Sequence, residues 1–349
     1  MRTESKREKS QMTTAAILKH CYDITESYLQ IDDRVTNNST ISIIKETQDL
    51  LISTKQIFLN EILPYWNPIK DNISISYNGG KDCQVLLIIY LACLYEYFYM
   101  AALNFNNLKL DTMNTFNNMN TTVKFALKAV YLRQENTFQI INEFIEESSK
   151  KYGLSLYKSN IGSMENSLKE YMIHEKWDCN YNTKQKAGII IGIRRSDPYA
   201  LNLKYIQQTD KNWPQFMRLQ PLLDWKLRNV WSFLIYSNEP ICKLYELGFT
   251  SLGGVNNTVR NLYLKKTKCN QNGDKCKDGT STSSHLWNHF QWEFQHRFGS
   301  HNKDDHSEDM TIEDNSIDHE YLCNDTESYY PGWFLIDDEK ERAGRTKRK

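Results

Sequence analysis

One heptapeptide of the sequence, residues 77–83, combines the flexibility and the charge of a phosphate-binding loop. Its adjacent glycines, Gly79 and Gly80, allow a sharp turn that leaves main-chain N–H groups exposed at a helix start, which favours an anion. Lys81 adds a positive point charge there. A β-hairpin is the alternative, because Asn78-Gly79 is also a strong hairpin signal. The residues that follow are apolar without alternation and too numerous for a hairpin strand, so a turn into a helix is favoured.

Two further segments carry side chains suited to ligand binding. Residues 194–198 place two arginines and Asp197 after an apolar stretch, although a solvated loop would have the same composition. Residues 209–218 are predicted to form a loop that contains a carboxylate, two aromatic rings and an arginine: Asp210, Trp213, Phe216 and Arg218. This mixture suits a flat heteroaromatic ligand, because Trp213 or Phe216 can offer a face while the charged groups address polar edges. A purely structural aromatic corner is the alternative.

The basic segment at residues 340–349 offers a further pair of phosphate ligands. Arg342 and Arg345 are three positions apart, so one helical face or tight turn could present both guanidinium groups to a phosphate. A basic segment of this kind is more often simply solvated, and that alternative stays open from the residues alone.

The sequence lacks the spacing of a protein-ligated zinc site. Cys269 and Cys276 have six residues between them instead of two, and His285 and His289 lack the glutamate of a zinc-protease helix. A Walker A loop is also excluded, because no glycine precedes Gly80 at the required spacing.

The elements around these segments alternate between strand and helix. Apolar runs predict buried strands at residues 73–77 and 126–132, a short strand at 154–157, and a strand apolar on both faces, hence central and parallel, at 187–193. Helical patterns cover residues 17–63 and 85–103, and further helices begin near Thr137 (closed by Gly153), Ser163 and Asp224. This alternation predicts an α/β fold with an open, mostly parallel, twisted sheet and helices on both faces. Ligands bind beyond the carboxyl ends of such strands, so the candidate segments should meet there.

Four regions follow from this pattern. We expect an N-terminal helical region at 1–63, an α/β core at 64–265 and a flexible loop at 266–284. Residues 285–349 are then a C-terminal extension; its packing over the site and its contribution of arginines are what the family resemblance described below implies.

Composition narrows the class of protein. The chain has 349 residues, and Lys+Arg and Asp+Glu both number 43, so no net field attracts nucleic acid or an anionic membrane. The eight cysteines are scattered, which fits a reducing compartment better than a disulfide framework. The first residues lack the apolar region of a signal peptide. We expect a cytoplasmic monomer that binds small molecules.

Taken together, the motifs resemble the eukaryotic FAD synthetase (FMN adenylyltransferase) family of the PP-loop, PAPS reductase-like superfamily. The resemblance covers about 55–265 and 286–346. It is carried by residues 76–82, 192–198, 209–222, 238–242, 248–254, 330–333 and 341–345. One departure is Arg133, where relatives commonly have an acidic residue at the end of the strand.

The resemblance implies a modified Rossmann-like fold and the reaction ATP + FMN → FAD + pyrophosphate. It assigns ATP binding to the loop residues Tyr77, Asn78, Gly79, Gly80, Lys81 and Asp82, and FMN or FAD binding to Asp197, Asp210, Trp213 and Arg218. The implied catalytic residues are Asn78, Lys81, Asp82, Arg342 and Arg345, with Asp82 positioning Mg²⁺ through water. No general base is needed, because the FMN phosphate is already ionised.

Two alternatives remain at this point. A PAPS reductase-like reductase would need a redox cysteine near the C-terminus, and Cys323 lacks the expected flanking Gly and His. A non-catalytic flavin- or nucleotide-binding sensor would share the fold and the binding residues but not the turnover.

Overall fold

A six-stranded sheet forms the centre of the fold. The computed structural model describes residues 14–31, 38–70, 72–100, 127–177, 187–266 and 328–346. The strands are β1 Ile73–Ser76, β2 Leu127–Tyr131, β3 Leu154–Lys158, β4 Gly188–Ile190, β5 Ile206–Gln208 and β6 Met217–Leu219. Their order in the sheet is β3-β2-β1-β4-β6-β5. All neighbours are parallel except β5 and β6. The sheet is therefore the mostly parallel one that the sequence predicts.

Helices cover both faces of the sheet. They are α1 Thr14–Leu29, α2 Asn38–Gln56, α3 Lys81–Tyr95, α4 Gln139–Tyr152, α5 Met164–His174, α6 Leu227–Ser237 and the single turn α7 Asp338–Glu341. Helices α1, α2, α3, α4 and α6 share one large hydrophobic cluster with the inner strands. On the opposite face, α5 packs its Leu168, Tyr171 and Met172 against Ile189 and Phe216. None of the described helices combines the length and the apolarity needed to cross a membrane.

Helix α3 is the structural base of the candidate loop. Thirteen of its fifteen residues are buried, and it packs directly on α1. Because α3 is apolar on all sides, it lies in the interior of the molecule and not on its surface. The helix begins at Lys81, four residues earlier than the apolar run alone indicated, so Lys81 and Asp82 lie within its first turn.

Three local predictions need correction. Arg218 lies in β6, which pairs with β5 as an antiparallel hairpin, and not in an irregular loop. Helix α6 begins after Lys226, because the carboxylate of Asp224 is held by Arg195 and Tyr205 instead of capping the helix. Helix α4 begins after Phe138, so Thr137 is not its N-cap residue.

Two predicted helix boundaries are confirmed. The Ser163 side chain accepts a hydrogen bond from Asn166 N at the start of α5, and Gly153 ends α4 with φ 65°. Most of the predicted flexible loop at 266–284 lies outside the described residues. The cysteines and histidines of the rejected metal readings, and Cys323, lie outside them too.

Candidate functional site

The loop between β1 and α3 turns at Gly79, whose φ is +71°. A Cβ there would lie 3.0 Å from Ile145 and 3.2 Å from Phe144, so both the conformation and the space require glycine. Asn78 Oδ1 accepts from Gly80 N at 3.0 Å and stabilises the turn. The turn leads directly into α3, which confirms the predicted loop-to-helix transition and excludes the hairpin.

Cys83 lies beneath this loop and is not available as a nucleophile. Its Sγ is 3.0 Å from both Asn78 Oδ1 and Gly80 O. Burial raises the pKa of the thiol to about 12, although the loop N–H groups act in the opposite direction. The thiol is therefore neutral at physiological pH.

Two cations and three carboxylates form a buried ion cluster next to the loop. We define this cluster by its members, which are Lys81, Asp82, Arg194, Asp338 and Glu341. Lys81 Nζ lies 3.0 Å from Asp82 Oδ2 and also contacts the Glu341 carboxylate. Arg194 Nε lies 2.6 Å from Asp82 Oδ1, Nη1 lies 2.7 Å from Asp338 Oδ1, and Nη2 lies 2.5 Å from Glu341 Oε2. The cluster joins α3, the residues beyond β4, and α7.

Mutual contacts keep Lys81 and Asp82 ionised despite their burial. Burial by itself would raise the pKa of Asp82, but Arg194 and Lys81 outweigh it and hold that pKa below its ordinary value. Burial would likewise lower the pKa of Lys81, yet Asp82 and Glu341 raise it. Both groups therefore carry their charges at neutral pH, and removing either would leave a buried partner unpaired.

The predicted loop residues Lys81 and Asp82 thus face inward, toward the ion cluster. The Lys81 side chain is only 3% exposed, and both Asp82 oxygens are engaged by cations. Within the described ranges no group of three or more His, Cys, Asp and Glu side chains is arranged to hold a metal ion. Asp82 alone does not make a metal site, so its predicted role toward Mg²⁺ depends on other ligands.

The two C-terminal arginines are brought to the same end of the sheet but are held differently. Arg342 is exposed, and its Nη1 lies 3.7 Å from Asp197 Oδ1. Asp197 Oδ2 accepts from Arg194 N at 3.0 Å, which places the predicted flavin residue Asp197 beside the ion cluster. Burial raises the pKa of Asp197 above its ordinary value.

Arg345 is fixed by a loop that the sequence did not assign to it. Its Nε donates to Ser251 Oγ at 3.0 Å and its Nη1 to Thr258 Oγ1 at 3.1 Å. A Cβ on Gly253 would lie 1.4 Å from Arg345 Nη1, so the absence of a side chain at Gly253 makes room for the guanidinium group. Burial, and then the charge of Arg342, lower the pKa of Arg345, which shows that the two arginines share one region.

The predicted flavin segment forms the turn between β5 and β6. Asp210 is largely exposed, Trp213 N donates to Asp210 O at 2.9 Å, and Trp213 itself is 37% exposed. Arg218 Nη2 lies 3.9 Å from Asp210 Oδ1, so the Asp210 and Arg218 side chains are neighbours, while Trp213 is joined to Asp210 through the main chain. Phe216 is only 3% exposed and belongs to the core against α5, so the suggestion that it could offer a face to a ligand is wrong.

A cavity of about 130 Å³ opens beside Asn78, at the carboxyl ends of β1 and β2. Its lining includes Tyr131 and Leu132 from β2 and beyond, together with Leu252 and Gly253 from the loop that holds Arg345. The loop at residues 77–83, the cavity and the segment that carries Arg342 and Arg345 therefore adjoin one another. Arg133 follows the lining residue Leu132 and is exposed, while its N–H donates to Ser159 Oγ at 3.0 Å.

Comparison with known proteins identifies the family of this chain. The phosphoadenosine phosphosulfate reductase domain family matches residues 72–260. The flavin adenine dinucleotide synthase of Saccharomyces cerevisiae is 42% identical over 97% of this chain and 99% of its own length. The chain belongs to the FAD synthase family. A probable FAD synthase of Schizosaccharomyces pombe is 33% identical over 56% of this chain and 63% of its own length.

Solved structures support the same membership of the FAD synthase family. The Candida glabrata FMN adenylyltransferase with FAD and inorganic pyrophosphate is 40% identical, covers 98% of this chain and all of its own, and has a TM-score of 0.75. The same enzyme with FMN and the ATP analogue AMPCPP covers 97% of this chain and 99% of its own at a TM-score of 0.74. The resemblance drawn from the motifs is confirmed.

Three residues that contact the candidate site were not identified from the sequence. Glu341 and Asp338 complete the ion cluster, and Tyr245 OH accepts a hydrogen bond from Lys81 N at 2.9 Å. Glu341 was within reach, because it opens the motif at 341–345 that supports the family resemblance. Tyr245 carried no signal, since it reads as one more core aromatic.

Proposed function

We propose that this chain is an FMN adenylyltransferase that converts ATP and FMN to FAD and pyrophosphate. The observation that carries the proposal is the glycine turn at Gly79 and Gly80, which opens α3 between a cavity and the arginine-bearing segment. The family membership and the C. glabrata complexes with FMN and AMPCPP, and with FAD and pyrophosphate, support the same reaction.

ATP would occupy the cavity and the loop together. The adenosine fits the cavity beside Asn78, where apolar Leu132 and Leu252 can contact a base. The polyphosphate would then extend along residues 77–82, where the positive end of α3 favours an anion. We assign Tyr77, Asn78, Gly79, Gly80, Lys81 and Asp82 to this half, with Asn78 and Lys81 nearest the departing phosphates.

FMN would lie on the other side of the phosphates, against the β5–β6 turn. Trp213 offers a partly exposed ring for the flat isoalloxazine system, while Asp210 and Arg218 can bind its polar edge. Asp197, which already contacts Arg194, supports this end of the site. The exposure of Asp210 and Trp213 is what a binding surface for a second substrate requires.

The chemical step is a displacement at the α-phosphorus of ATP. A bond forms between an FMN phosphate oxygen and that phosphorus, and the bond from phosphorus to the oxygen bridging to the β-phosphate breaks. Pyrophosphate carries away the electron pair. Because two polyanions must approach each other, Arg342 and Arg345 would neutralise and align them. The FMN phosphate is already ionised, so no side chain has to remove a proton.

Mg²⁺ is proposed to enter on the phosphates of ATP, since this ion prefers phosphate oxygens and water to a cage of protein ligands. A single carboxylate at the loop, Asp82, suits a contact through water. The metal would supply charge neutralisation of the polyphosphate. We further propose that the chain is a monomer and that it lies in the cytoplasm. The buried free thiols of Cys21, Cys83, Cys93 and Cys242 support a reducing compartment.

A direct assay tests the proposal. The chain is incubated with ATP, Mg²⁺ and FMN, the flavins are separated by chromatography, and pyrophosphate is measured in parallel. Equal amounts of FAD and pyrophosphate are expected, and neither should form without ATP. Binding of FMN without turnover would instead support the flavin-binding sensor. The Arg345→Ala variant serves as the matched control for a contaminating adenylyltransferase.

A further inference from the structure

Glu341 lies where three separate parts of the described chain meet. Its carboxylate contacts Lys81 Nζ at the start of α3 and lies 2.5 Å from Arg194 Nη2 beyond β4. The Glu341 side chain is only 7% exposed, so solvent does little to screen these contacts. A carboxylate enclosed by two cations in this way is placed to hold them, and not to meet a polyphosphate.

The main chain on both sides of Glu341 is fixed as well. Thr250 Oγ1 donates to Glu341 O at 2.6 Å, and Asn261 Nδ2 donates to Lys340 O at 2.8 Å. Arg345 has its own contacts with Ser251 and Thr258. Arg342, which follows Glu341 directly, therefore lies between two anchored points.

Arg342 itself has few contacts that could place it. Its side chain is 44% exposed, and the distance of 3.7 Å from Nη1 to Asp197 Oδ1 is longer than a hydrogen bond. A long, flexible side chain with one weak contact is positioned chiefly by its own main chain. That main chain is attached to the phosphate loop through Glu341.

On the basis of the proposed function, we infer that Glu341 is a positioning residue for adenylyl transfer. Its carboxylate bridges Lys81 and Arg194 and thereby fixes the main chain of Arg342 relative to the phosphate loop. Glutamine cannot do this, because it loses the charge and turns an N–H₂ group toward a cation. A buried cation is then left with too few partners, which is strongly unfavourable, and the segment moves to relieve it.

The test compares Glu341→Gln with Glu339→Gln, which makes the same change on the exposed side of the same turn, α7. We measure kcat and the KM for each substrate. Glu341→Gln should lower kcat at least tenfold with the KM for FMN within about threefold, and Glu339→Gln should stay within twofold of the parent in both. Equal kinetics in the two variants, or a lowered KM for ATP with kcat retained, would overturn the inference.

A double variant separates positioning from a general loss of structure. If Glu341 acts through Arg342, then Glu341→Gln should cost less than about threefold in kcat when Arg342→Ala is already present. An undiminished tenfold effect in that background would mean that Glu341 does not act through Arg342. If Glu341→Gln does not fold, Glu341→Asp replaces it. It retains the charge but is too short to span both cations, so at least a threefold loss of kcat is expected.

The activity of the parent protein distinguishes a failure of the proposed function from a failure of the inference about Glu341. No FAD from the parent would contradict the proposed function itself. FAD formation by the parent with unchanged kinetics in the Glu341 variants would contradict only the role of Glu341.

Discussion

The main-chain N–H of Lys81 donates to the hydroxyl oxygen of Tyr245 at 2.9 Å, across 164 positions of sequence. Tyr245 is buried, and its ring packs edge-on against Trp231 with centroids 5.1 Å apart. The first residue of α3 is thus tied to a rigid aromatic pair. The position of the loop at residues 77–83 depends on this contact as well as on its own glycines.

Tyr245→Phe should therefore lower the free energy of unfolding by about 1–3 kcal/mol, because a buried N–H loses its acceptor. Urea denaturation measures this change. Tyr199→Phe is the matched control, since Tyr199 is fully exposed and should have no effect. An equal stability of both variants would show that the Lys81 N–H finds another acceptor.

Arg345→Ala should lower kcat by about 100-fold or more while leaving the KM for FMN nearly unchanged. The reason is that a cation aimed at the transferring phosphate acts mainly in the transition state. Steady-state kinetics with each substrate varied in turn give both values. A normal kcat with a raised KM for FMN would instead assign Arg345 to flavin binding.

Gly253→Ala should reproduce much of that loss without removing any charge. The new methyl group would lie 1.4 Å from Arg345 Nη1, so the flexible guanidinium must leave its contacts with Ser251 and Thr258. Gly162→Ala is the control, because no atom lies within 4 Å of the added Cβ. If Gly253→Ala retains full kcat, then Arg345 does not act from its position against Ser251 and Thr258.

Asp210→Ala should raise the KM for FMN by about tenfold or more, the effect of losing one charged hydrogen-bond partner. The KM for ATP should change little, because Asp210 lies on the β5–β6 turn and not at residues 77–82, the loop proposed to bind ATP. Fluorescence titration with FMN provides an independent affinity. Unchanged flavin affinity would contradict the assignment of residues 209–218 to the flavin.

Acid should weaken the fold through Glu239. Burial by itself would raise the pKa of this carboxyl, but His20 at 2.7 Å and Lys151 at 2.8 Å lower it to about 2, from 4.5 in the unfolded chain. Because the folded pKa is the lower one, the stabilisation is complete above pH 4.5 and is lost as the pH falls toward 2.

The measurement for Glu239 is urea denaturation at pH 5 and pH 3. The difference in unfolding free energy between the parent and Glu239→Gln should shrink by about 2 kcal/mol between these two pH values. The exposed Glu165→Gln should show no such trend. A difference that stays constant from pH 5 to pH 3 would contradict the lowered pKa.

The sequence predicted the inner strands well. Strand β4 is apolar on both faces, and β1 alternates Ile73 and Ile75 with small serines, so neither needs a distant partner to be recognised. The hairpin of β5 and β6 was missed for the opposite reason. Each of these strands has three residues, and Gln207 and Gln208 make β5 more polar than a buried strand. Pairing, and not local preference, makes this segment a strand.

The site was predictable as a set of motifs but not as a set of contacts. The loop at 77–83 and the arginines of the C-terminal segment could be named from residue types. The partner of Lys81 could not, since Glu341 is 260 positions away and many carboxylates were equally available. The inward direction of Lys81 follows from this partner, so it too was beyond the reach of the sequence.

The buried ion cluster has a consequence for synthesis on the ribosome. Lys81 and Arg194 are made long before Asp338 and Glu341, and until those arrive Asp82 is the cluster's single carboxylate. Burying both cations at that stage would be strongly unfavourable, so we expect this end of the sheet to stay open in the nascent chain. The loop that would hold ATP can then close only after translation has passed residue 341.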